Sequence, residues 1–390
     1  MIDEFHHAAT PSYQVLLDHF RPRVLLGLTG TPERADGRSI LSWFDGRVAA
    51  EIRLPEAIDR KLLCPFQYFG VADDVDLSGL RWTRGGYEDS QLEDVYVYSA
   101  GVARRRAGMV AETVRRYVSD LDEVCGLGFC VSVAHADFMA ARFREMGLPS
   151  ASVTGGTPAD ERARAKERLR SGELRFVFTV DVYNEGVDIP EVNTVLFLRP
   201  TQSLTVFLQQ LGRGLRLAEG KDCLTVLDFI GRQNAHYDFE SKLAALLEPT
   251  RRGVWRELDD GFPSVPRGCY VHLERVAAEH VLEGIRASVA TRAGIVSRLA
   301  TFEEDTGAPL TLAGFLERTG ADPKEVFGRG SLSRMAVEAG VRADFSDPDE
   351  AALTRALARV CSMDSRRWIS FLLDALPRVG ELAEKDLSPT

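Results

Sequence analysis

The sequence lacks several features that would each assign the protein to a particular class. No apolar run approaches the roughly 18 residues that cross a bilayer, and the start of the chain lacks the basic and apolar segments of a signal peptide. The 6 cysteines have no CxxC spacing, which disfavours a zinc cluster or a disulfide framework. Basic residues are not in excess, since the formal net charge is -10. We therefore predict a cytoplasmic protein with reduced thiols and no membrane partner, and the charge leaves other partners open.

What the sequence does contain is an alternation of short apolar strands with helical patterns. With 390 residues and 45% hydrophobic content, the chain is long enough for two or three packed domains. This alternation is typical of a parallel sheet covered by helices. The predicted buried strands are 24–28, 129–133, 176–180, 194–198 and 224–227, and helical patterns cover 136–146, 160–169, 310–319 and 331–339. The pattern predicts an α/β protein that continues into a helical region.

Two short motifs near the start of the chain are separated by one predicted helix and one predicted strand. Asp3-Glu4-Phe5-His6 comes first, and Thr29-Gly30-Thr31 follows about twenty-five residues later. Two adjacent acids prove little by themselves, but the next strand of the same sheet would present hydroxyls beside them. In order and spacing the two segments resemble motifs II and III of the superfamily 2 helicases, a family of DEAD/DEAH-like ATP-dependent motors.

Further matches to this family follow in the second half of the chain. Thr154-Gly155-Gly156-Thr157-Pro158, then D-V-Y-N-E-G-V-D-I-P at 181–190, then Q-Q-L-G-R-G-L-R at 209–216 resemble motifs IVa, V and VI in order. The predicted strand 129–133 and its exit at 134–137 resemble motif IV. The segments 227–232 and 261–269 are similar to those of a bacterial subgroup that has a C-terminal domain of unknown function.

The resemblance implies a set of site residues and cofactors. It implies ATP and Mg²⁺ as cofactors, with Asp3 holding the metal through water, Glu4 activating the attacking water, and Arg213 and Arg216 as catalytic residues on the triphosphate. The residues implied in ATP binding and coupling are His6, Thr29, Thr31, Gly186, Asp188, Gln209 and Gly212. Those implied in nucleic-acid binding are Ser132, His135, Gly155, Thr179 and Asp181.

The spacing of Arg213 and Arg216 has its own physical argument. On a helix the two arginines lie about one turn apart on the same side. A guanidinium fork suits phosphate oxygens, and such a group can contribute roughly 4 to 7 kcal/mol to the stabilisation of a transition state. An isolated pair of this kind would more often form surface salt bridges, but the ordered motifs around it favour the functional interpretation.

Several of the other residues also have purely structural interpretations. Gly186 fits a turn and Asp188 a helix cap, and Ser132 and His135 stand where turn or cap groups are frequent. Val180 occupies the position at which many family members have a phosphate-contacting threonine, with Thr179 one residue out of register, so a backbone N–H would replace that hydroxyl. The run Arg104-Arg105-Arg106 fits either phosphate contacts or a solvated charged face.

A phosphate-binding loop of the form G-x-x-x-x-G-K-[ST] is missing from these 390 residues. The only Gly-Lys pair, Gly220-Lys221, precedes Asp222 and has Leu215 where the first glycine belongs. We therefore expect an N-terminally truncated motor without motif I, and we predict that this chain alone is inactive as an ATP hydrolase. A truncated gene model, a gene fragment or a split partner would each explain such a chain.

The resemblance and the composition together predict four parts and a function. Residues 1–57 are predicted as the C-terminal part of a first RecA-like domain, 58–100 as a linker or insertion, 101–240 as a complete second RecA-like helicase domain, and 241–390 as a mainly helical region. We predict that the chain is the C-terminal portion of an ATP-dependent nucleic-acid helicase or translocase that carries motifs II to VI. DNA is the expected nucleic acid. A missing helicase half or an upstream nuclease-like domain is a further expected partner. The alternatives are a noncatalytic nucleic-acid-binding or regulatory subunit and the remnant of a broken helicase gene.

Overall fold

The structure is a computed structural model that describes most of the chain in two compact units. The units are residues 1–250 with 254–285, and residues 251–253 with 286–390. The described residues are 1–5, 13, 15, 17, 19–20, 23–30, 43–83, 86–180, 189–201, 203–234, 236–248, 253–288, 291–306, 308–319, 321–361 and 365–375.

The first unit is built on a seven-stranded sheet in which every neighbouring pair of strands is parallel. Its strands are β1 (Phe66–Asp76), β4 (Gly126–Phe129), β5 (Ser150–Val153), β6 (Phe176–Thr179), β7 (Thr194–Phe197), β8 (Leu224–Arg232) and β9 (Tyr270–Leu273). The strand order is β5-β6-β4-β7-β8-β1-β9, and β2 (Trp82–Thr83) pairs separately with β3 (Gly86–Tyr87). The predicted α/β class is confirmed.

Helices connect and cover these strands. In the first unit they are α1 (Leu54–Asp59), α2 (Asp89–Glu93), a π-helical segment (Asp94–Tyr98), α3 (Ala100–Tyr117), α4 (Val133–Glu145), α5 (Ala159–Arg170), α6 (Leu204–Gly214), α7 (Phe239–Ala244), α8 (Val254–Asp259) and α9 (Arg275–Ser288). The second unit contains α10 (Arg292–Thr306), α11 (Leu312–Thr319), α12 (Pro323–Arg329), α13 (Leu332–Glu338), α14 (Glu350–Val360) and α15 (Arg366–Ala375). Among the described residues of the second unit, all regular secondary structure is helical, and its core includes Ile295, Phe302 and Phe315.

The sheet of the first unit has a buried apolar layer on each face. Side chains that alternate along a strand contribute to opposite layers, as the two-residue period of a strand requires. Val177 belongs to one layer, whereas Phe176 and Phe178 belong to the other. Because both faces of the sheet are covered, side chains on both sides of these strands are buried, and the strand sequences are continuous apolar runs.

Two glycines in β4 make room for aromatic rings from the neighbouring strand. A Cβ atom at Gly126 would lie 2.3 Å from the ring of Phe176, and one at Gly128 would lie 2.5 Å from the ring of Phe178. The rings therefore cover the backbone of β4 directly.

The structure corrects one of the predicted divisions. Residues 58–100 were expected to be a linker or insertion, but they contribute β1, which pairs with β8 on one side and β9 on the other. Residues 241–390 were expected to be mainly helical, and β9 is a strand of the sheet within that range. The polar segment 73–99 begins inside β1, which extends to Asp76.

The start of the chain contains less regular structure than predicted. In place of a strand over 24–28, the described residues show one parallel bridge, between Ile2 and Gly27. Phe5 and Leu17 are buried there in a small cluster packed by Leu25 and Phe44.

Candidate functional site

The acidic pair near the N-terminus lies at the end of the Ile2–Gly27 bridge. The N–H of Ile2 donates to the carbonyl of Leu26 at 2.8 Å, and Leu28 donates to the carbonyl of Ile2 at 2.9 Å. Asp3 and Glu4 follow the first segment directly, and Thr29 follows the second. The carboxylates and this threonine therefore leave neighbouring parallel segments at the same end, as the motif order suggested.

The local geometry of this pair is unusual. Glu4 has a φ of 50°, in the left-handed region that non-glycine residues seldom occupy. Its N–H donates to Oδ1 of Asp3 at 2.9 Å, and the side chain of Asp3 is exposed. Strain of this kind is frequent at functional sites. His6 and Thr31, which were assigned to the same site, lie outside the described residues.

Helix α6 carries most of the second group of candidate residues. The helix begins after Ser203, whose Oγ accepts a hydrogen bond from the N–H of Val206 at 3.4 Å. One face is buried through Phe207, Gln210, Leu211 and Gly214. Gln209, Gly212 and Arg213 are partly exposed, and their i, i+3, i+4 spacing places them on a common face.

The structure corrects the prediction that one helix carries both arginines. Helix α6 ends at Gly214, so Arg213 lies in its last turn, whereas Arg216 lies beyond the helix in a bend. Gly214 is packed closely, because a Cβ atom there would lie 2.4 Å from the side chain of Leu224. The direction of Arg216 is therefore set by contacts around the helix end and not by helical periodicity.

Ser132 and His135 stand at the N-terminus of α4 in mainly structural roles. Oγ of Ser132 accepts a hydrogen bond from the N–H of His135 at 3.2 Å and donates to Glu93 at 2.9 Å. The side chain of His135 is 1% exposed, and its Nδ1 accepts from the N–H of Val131 at 3.2 Å. A direct contact between His135 and nucleic acid would require its ring to leave this position.

Burial determines the protonation of His135. Removal from water, assisted by the positive charge of Arg106, lowers the pKa of His135 well below its ordinary value. Its ring stacks on that of Tyr96 with centroids 5.3 Å apart. The histidine is therefore neutral at neutral pH.

Arg106 belongs to the charged run 104–106, but it is a buried residue that holds several elements together. Its side chain is buried, and Nε lies 2.7 Å from Oδ2 of Asp73 in an ion pair. It also donates to the carbonyl of Leu198 at 3.1 Å, and its guanidinium lies 4.5 Å from the ring centre of Tyr96. Arg106 thus ties β1, β7 and the π-helical segment together. Helical periodicity is the signal that could have found it, since Arg106 shares the buried face of α3 with Ala103 and Val110, whereas Arg104 and Arg105 are exposed.

The remaining candidates lie in loops and at strand ends. Gly155 is exposed in a turn that Thr157 closes, since the N–H of Thr157 donates to the carbonyl of Thr154 at 3.0 Å. Thr179 ends β6 with its side chain buried, and its hydroxyl has no hydrogen-bond partner among the described residues. Asp181, Gly186 and Asp188 lie outside the described residues.

Metal binding and membrane spanning each require a particular arrangement of residues. Among the described residues, no group of three or more histidine, cysteine, aspartate or glutamate side chains is arranged to hold a metal ion. None of the described helices has both the length and the apolar character that a membrane span needs.

Two family models match the chain. Residues 110–218 match the helicase conserved C-terminal domain, and residues 1–34 match the res subunit of type III restriction enzymes. The first match includes β4, β5, β6, β7 and α6, and the second includes the acidic pair and Thr29. Both groups of candidate residues therefore lie within matched segments.

Individual proteins show the same similarity over part of their length. "Putative ATP-dependent helicase IRC3" of Saccharomyces cerevisiae is 29% identical over 260 residues, which are 65% of this chain and 36% of that protein. "DNA 3'-5' translocase XPB2" of Sulfurisphaera tokodaii is 25% identical over 263 residues, 61% of this chain and 59% of that protein. A solved fragment of a putative HsdR subunit of a type I restriction enzyme from Vibrio vulnificus is 20% identical, with a TM-score of 0.44, and the match covers 68% of this chain and 47% of that one. The chain spans less than two thirds of each of them.

Proposed function

We propose that this chain is a member of the superfamily 2 helicases and forms part of an ATP-driven motor that moves along nucleic acid, with DNA as the substrate. The choice of DNA is supported by the similar protein whose name describes a DNA translocase. The proposed roles follow from the candidate residues and their surroundings.

The observation that carries the proposal is the arrangement at the end of α6. Arg213 is partly exposed in the last turn of the helix, on the same face as Gln209, and Arg216 follows the helix end at once. Two guanidinium groups so placed can meet oxygens of one triphosphate and stabilise the charge that develops during phosphoryl transfer. We assign this role to Arg213 and Arg216, with Gln209 and Gly212 beside them.

We assign the opposite side of the reaction to the acidic pair. The exposed carboxylate of Asp3 suits a magnesium ion that keeps most of its water ligands, and Mg²⁺ would neutralise charge on the triphosphate. Glu4 would orient and deprotonate the attacking water, with Thr29 next to both acids. His6, Thr31, Gly186 and Asp188 complete the proposed nucleotide site. The proposed nucleic-acid contacts are Ser132, Gly155 and Asp181, whereas His135 and Thr179 are buried and are not assigned a direct contact.

The sequence contains no G-x-x-x-x-G-K-[ST] segment, so we predict weak binding of ATP and negligible hydrolysis by the purified chain. The measurement is magnesium-dependent phosphate release with and without DNA, for the wild type and for Glu4→Gln. Appreciable release that disappears in Glu4→Gln would contradict this prediction, since it would show that the chain holds ATP by other means.

Binding of DNA separates the proposed motor part from a noncatalytic binding subunit. We expect fluorescence anisotropy to show DNA binding that weakens at least about tenfold between about 50 and 200 mM salt. In the motor interpretation, the arginine pair still contacts the triphosphate when hydrolysis is absent, so millimolar magnesium ATP changes the affinity for DNA and Arg216→Ala removes that change. Arg164→Ala is the matched control, because Arg164 is an exposed arginine in an ion pair with Asp160. Binding that is indifferent to both ATP and Arg216→Ala would favour the noncatalytic subunit.

A further inference from the structure

Lys221 lies where the end of α6 meets the segment that ends at Pro190. We infer that Lys221 is a positioning residue, which fixes the backbone at Arg216 and joins it to the end of the 181–190 segment. This inference rests on the proposed role of Arg216 at the nucleotide.

The ammonium group of Lys221 donates hydrogen bonds to three backbone carbonyls. Nζ lies 2.5 Å from the oxygen of Gly214, 2.8 Å from that of Arg216 and 3.0 Å from that of Pro190. A lysine has three donors and no acceptor, so these contacts use its whole capacity. A surface lysine with a mobile side chain has no comparable set of partners.

These bonds act at the C-terminal end of α6, where helix carbonyls lack partners within the helix. A cation is also favoured there by the helix dipole. The carbonyl of Leu215, between the two that Lys221 binds, accepts from the N–H of Cys64 at 2.8 Å. Three consecutive carbonyls, from 214 to 216, are therefore held, and they determine where the chain places Arg216 after the helix has ended.

The third bond connects two functional segments. Pro190 ends the D-V-Y-N-E-G-V-D-I-P segment, to which the nucleotide and nucleic-acid contacts Asp181, Gly186 and Asp188 are assigned. Since one ammonium group binds Pro190 and Arg216 together, a displacement of either backbone disturbs the bonds to the other. Lys221 thereby links the position of Pro190 to that of Arg216.

Burial of the Lys221 ammonium group costs free energy of solvation. Because this cost reduces the net stabilisation from its hydrogen bonds, we do not assign Lys221 a role in global stability alone. Burial lowers the pKa of Lys221 from its ordinary value, and the negative charges of Cys64, Cys125, Cys223 and Glu191 act against this change. In Lys221→Met, loss of the three hydrogen bonds is offset in part by relief of this desolvation. We therefore expect a small change in global stability together with a large local change.

The first test is hydrogen exchange in the complete chain, with Lys166→Met on α5 as the matched control. The N–H groups of Cys64, Val192 and Lys221 donate to Leu215, Ile189 and Ala218, so they report on the proposed junction. We expect their exchange to be faster by about tenfold in Lys221→Met, which corresponds to the loss of roughly one hydrogen bond, and to be partly restored in Lys221→Arg. Amides of the sheet, such as Leu198, which donates to Phe129, should not change. Unchanged exchange at the junction, or equal acceleration throughout the sheet, would overturn the inference.

The second test uses inorganic tripolyphosphate as a probe of the arginine pair. Binding is measured by calorimetry for the wild type, Arg216→Ala, Lys221→Met and Lys221→Arg. We expect Arg216→Ala to remove most of the binding, Lys221→Met to weaken it several-fold, and Lys221→Arg to lie between Lys221→Met and the wild type. If Arg216→Ala has no effect, the proposed role of Arg216 fails, and the exchange experiment still decides whether Lys221 fixes the junction. If Arg216→Ala abolishes binding and Lys221→Met does not weaken it, Lys221 is not a positioning residue.

Discussion

At the scale of single residues, the surroundings of His135 connect burial with stability in acid. The ring is enclosed by Val131, Tyr96 and the capping Ser132, and the positive charge of Arg106 acts on it. Protonation would place a second positive charge near Arg106 and would give both ring nitrogens an N–H. Neither N–H would have an acceptor, because Nδ1 faces the N–H of Val131 and Nε2 has no hydrogen-bond partner among the described residues. The folded protein therefore resists protonation of His135.

We predict that this histidine makes the protein less stable as the pH falls below about 6.5, the ordinary pKa of an unfolded histidine. The folded pKa is lowered, so below pH 6.5 the unfolded chain binds a proton that the folded chain does not. The free energy of unfolding should fall by about 1.4 kcal/mol per pH unit from this group. His135→Gln keeps an acceptor for the N–H of Val131 but cannot be protonated. The difference in free energy of unfolding between the wild type and His135→Gln should therefore become smaller in acid.

The measurement is urea unfolding of wild type and His135→Gln at about pH 7.5 and about pH 5.5. A stability difference that is the same at both pH values would show that His135 is protonated freely in the folded protein.

Arg106 shows why single residues were only partly predictable. In the sequence it belongs to a run of three arginines, and α3 exposes the first two while burying the third. Its burial depends on Asp73, which lies 33 positions earlier on another element. A buried charge is tolerated only with such a partner, and local sequence does not identify partners that are distant along the chain.

At the scale of elements, β4 depends on its glycines as much as on its apolar residues. The rings of Phe176 and Phe178 occupy the space that side chains at Gly126 and Gly128 would need. The apolar run at 176–180 predicted that β6 is a buried strand. It did not indicate which neighbouring strand the rings of Phe176 and Phe178 would pack on. That pairing is decided by the parallel register, in which Gly126 lies opposite Phe176 and Gly128 opposite Phe178.

We predict that Gly128→Ala destabilises the protein by about 1 to 3 kcal/mol, because the new methyl group would overlap the ring of Phe178. Gly108→Ala is a matched control, since Gly108 lies within α3 and a Cβ atom there meets nothing within 4 Å. The control should stabilise the protein by about 0.5 to 1 kcal/mol through helix propensity. Thermal and urea unfolding measure both. Equal effects of the two substitutions would contradict the packing that we describe for β4.

In the molecule as a whole, the described residues among 1–52 contribute no strand to the seven-stranded sheet. The described apolar cluster of this segment consists of its own residues, centred on Phe5 and Leu17. Several of its large apolar side chains are exposed, among them Val24 at 81% and Phe20 at 61%. Exposed apolar surface of this kind is a hazard for solubility.

We predict that removal of residues 1–52 leaves the sheet intact, with the melting temperature changed by no more than about 2 to 4 °C. The reason is that the deletion takes away one small cluster and leaves both apolar layers of the sheet complete. Solubility should improve, since the exposed apolar residues are removed. Circular dichroism and calorimetry provide the comparison, and a fall of more than about 10 °C would show that the segment supports the sheet.

The α/β class, the strands at 176–179, 194–197 and 224–232 to within a few residues, and the similarity to helicases were all predictable from the sequence. They depend on local apolar runs and on motifs, which consist of consecutive residues. The folded structure was needed to show that β1 and β9 enter the same sheet, that α6 stops before Arg216, and that Lys221 binds the carbonyls around it. Those features depend on hydrogen bonds and ion pairs between residues that are distant in sequence, and such partners meet only when the chain has folded.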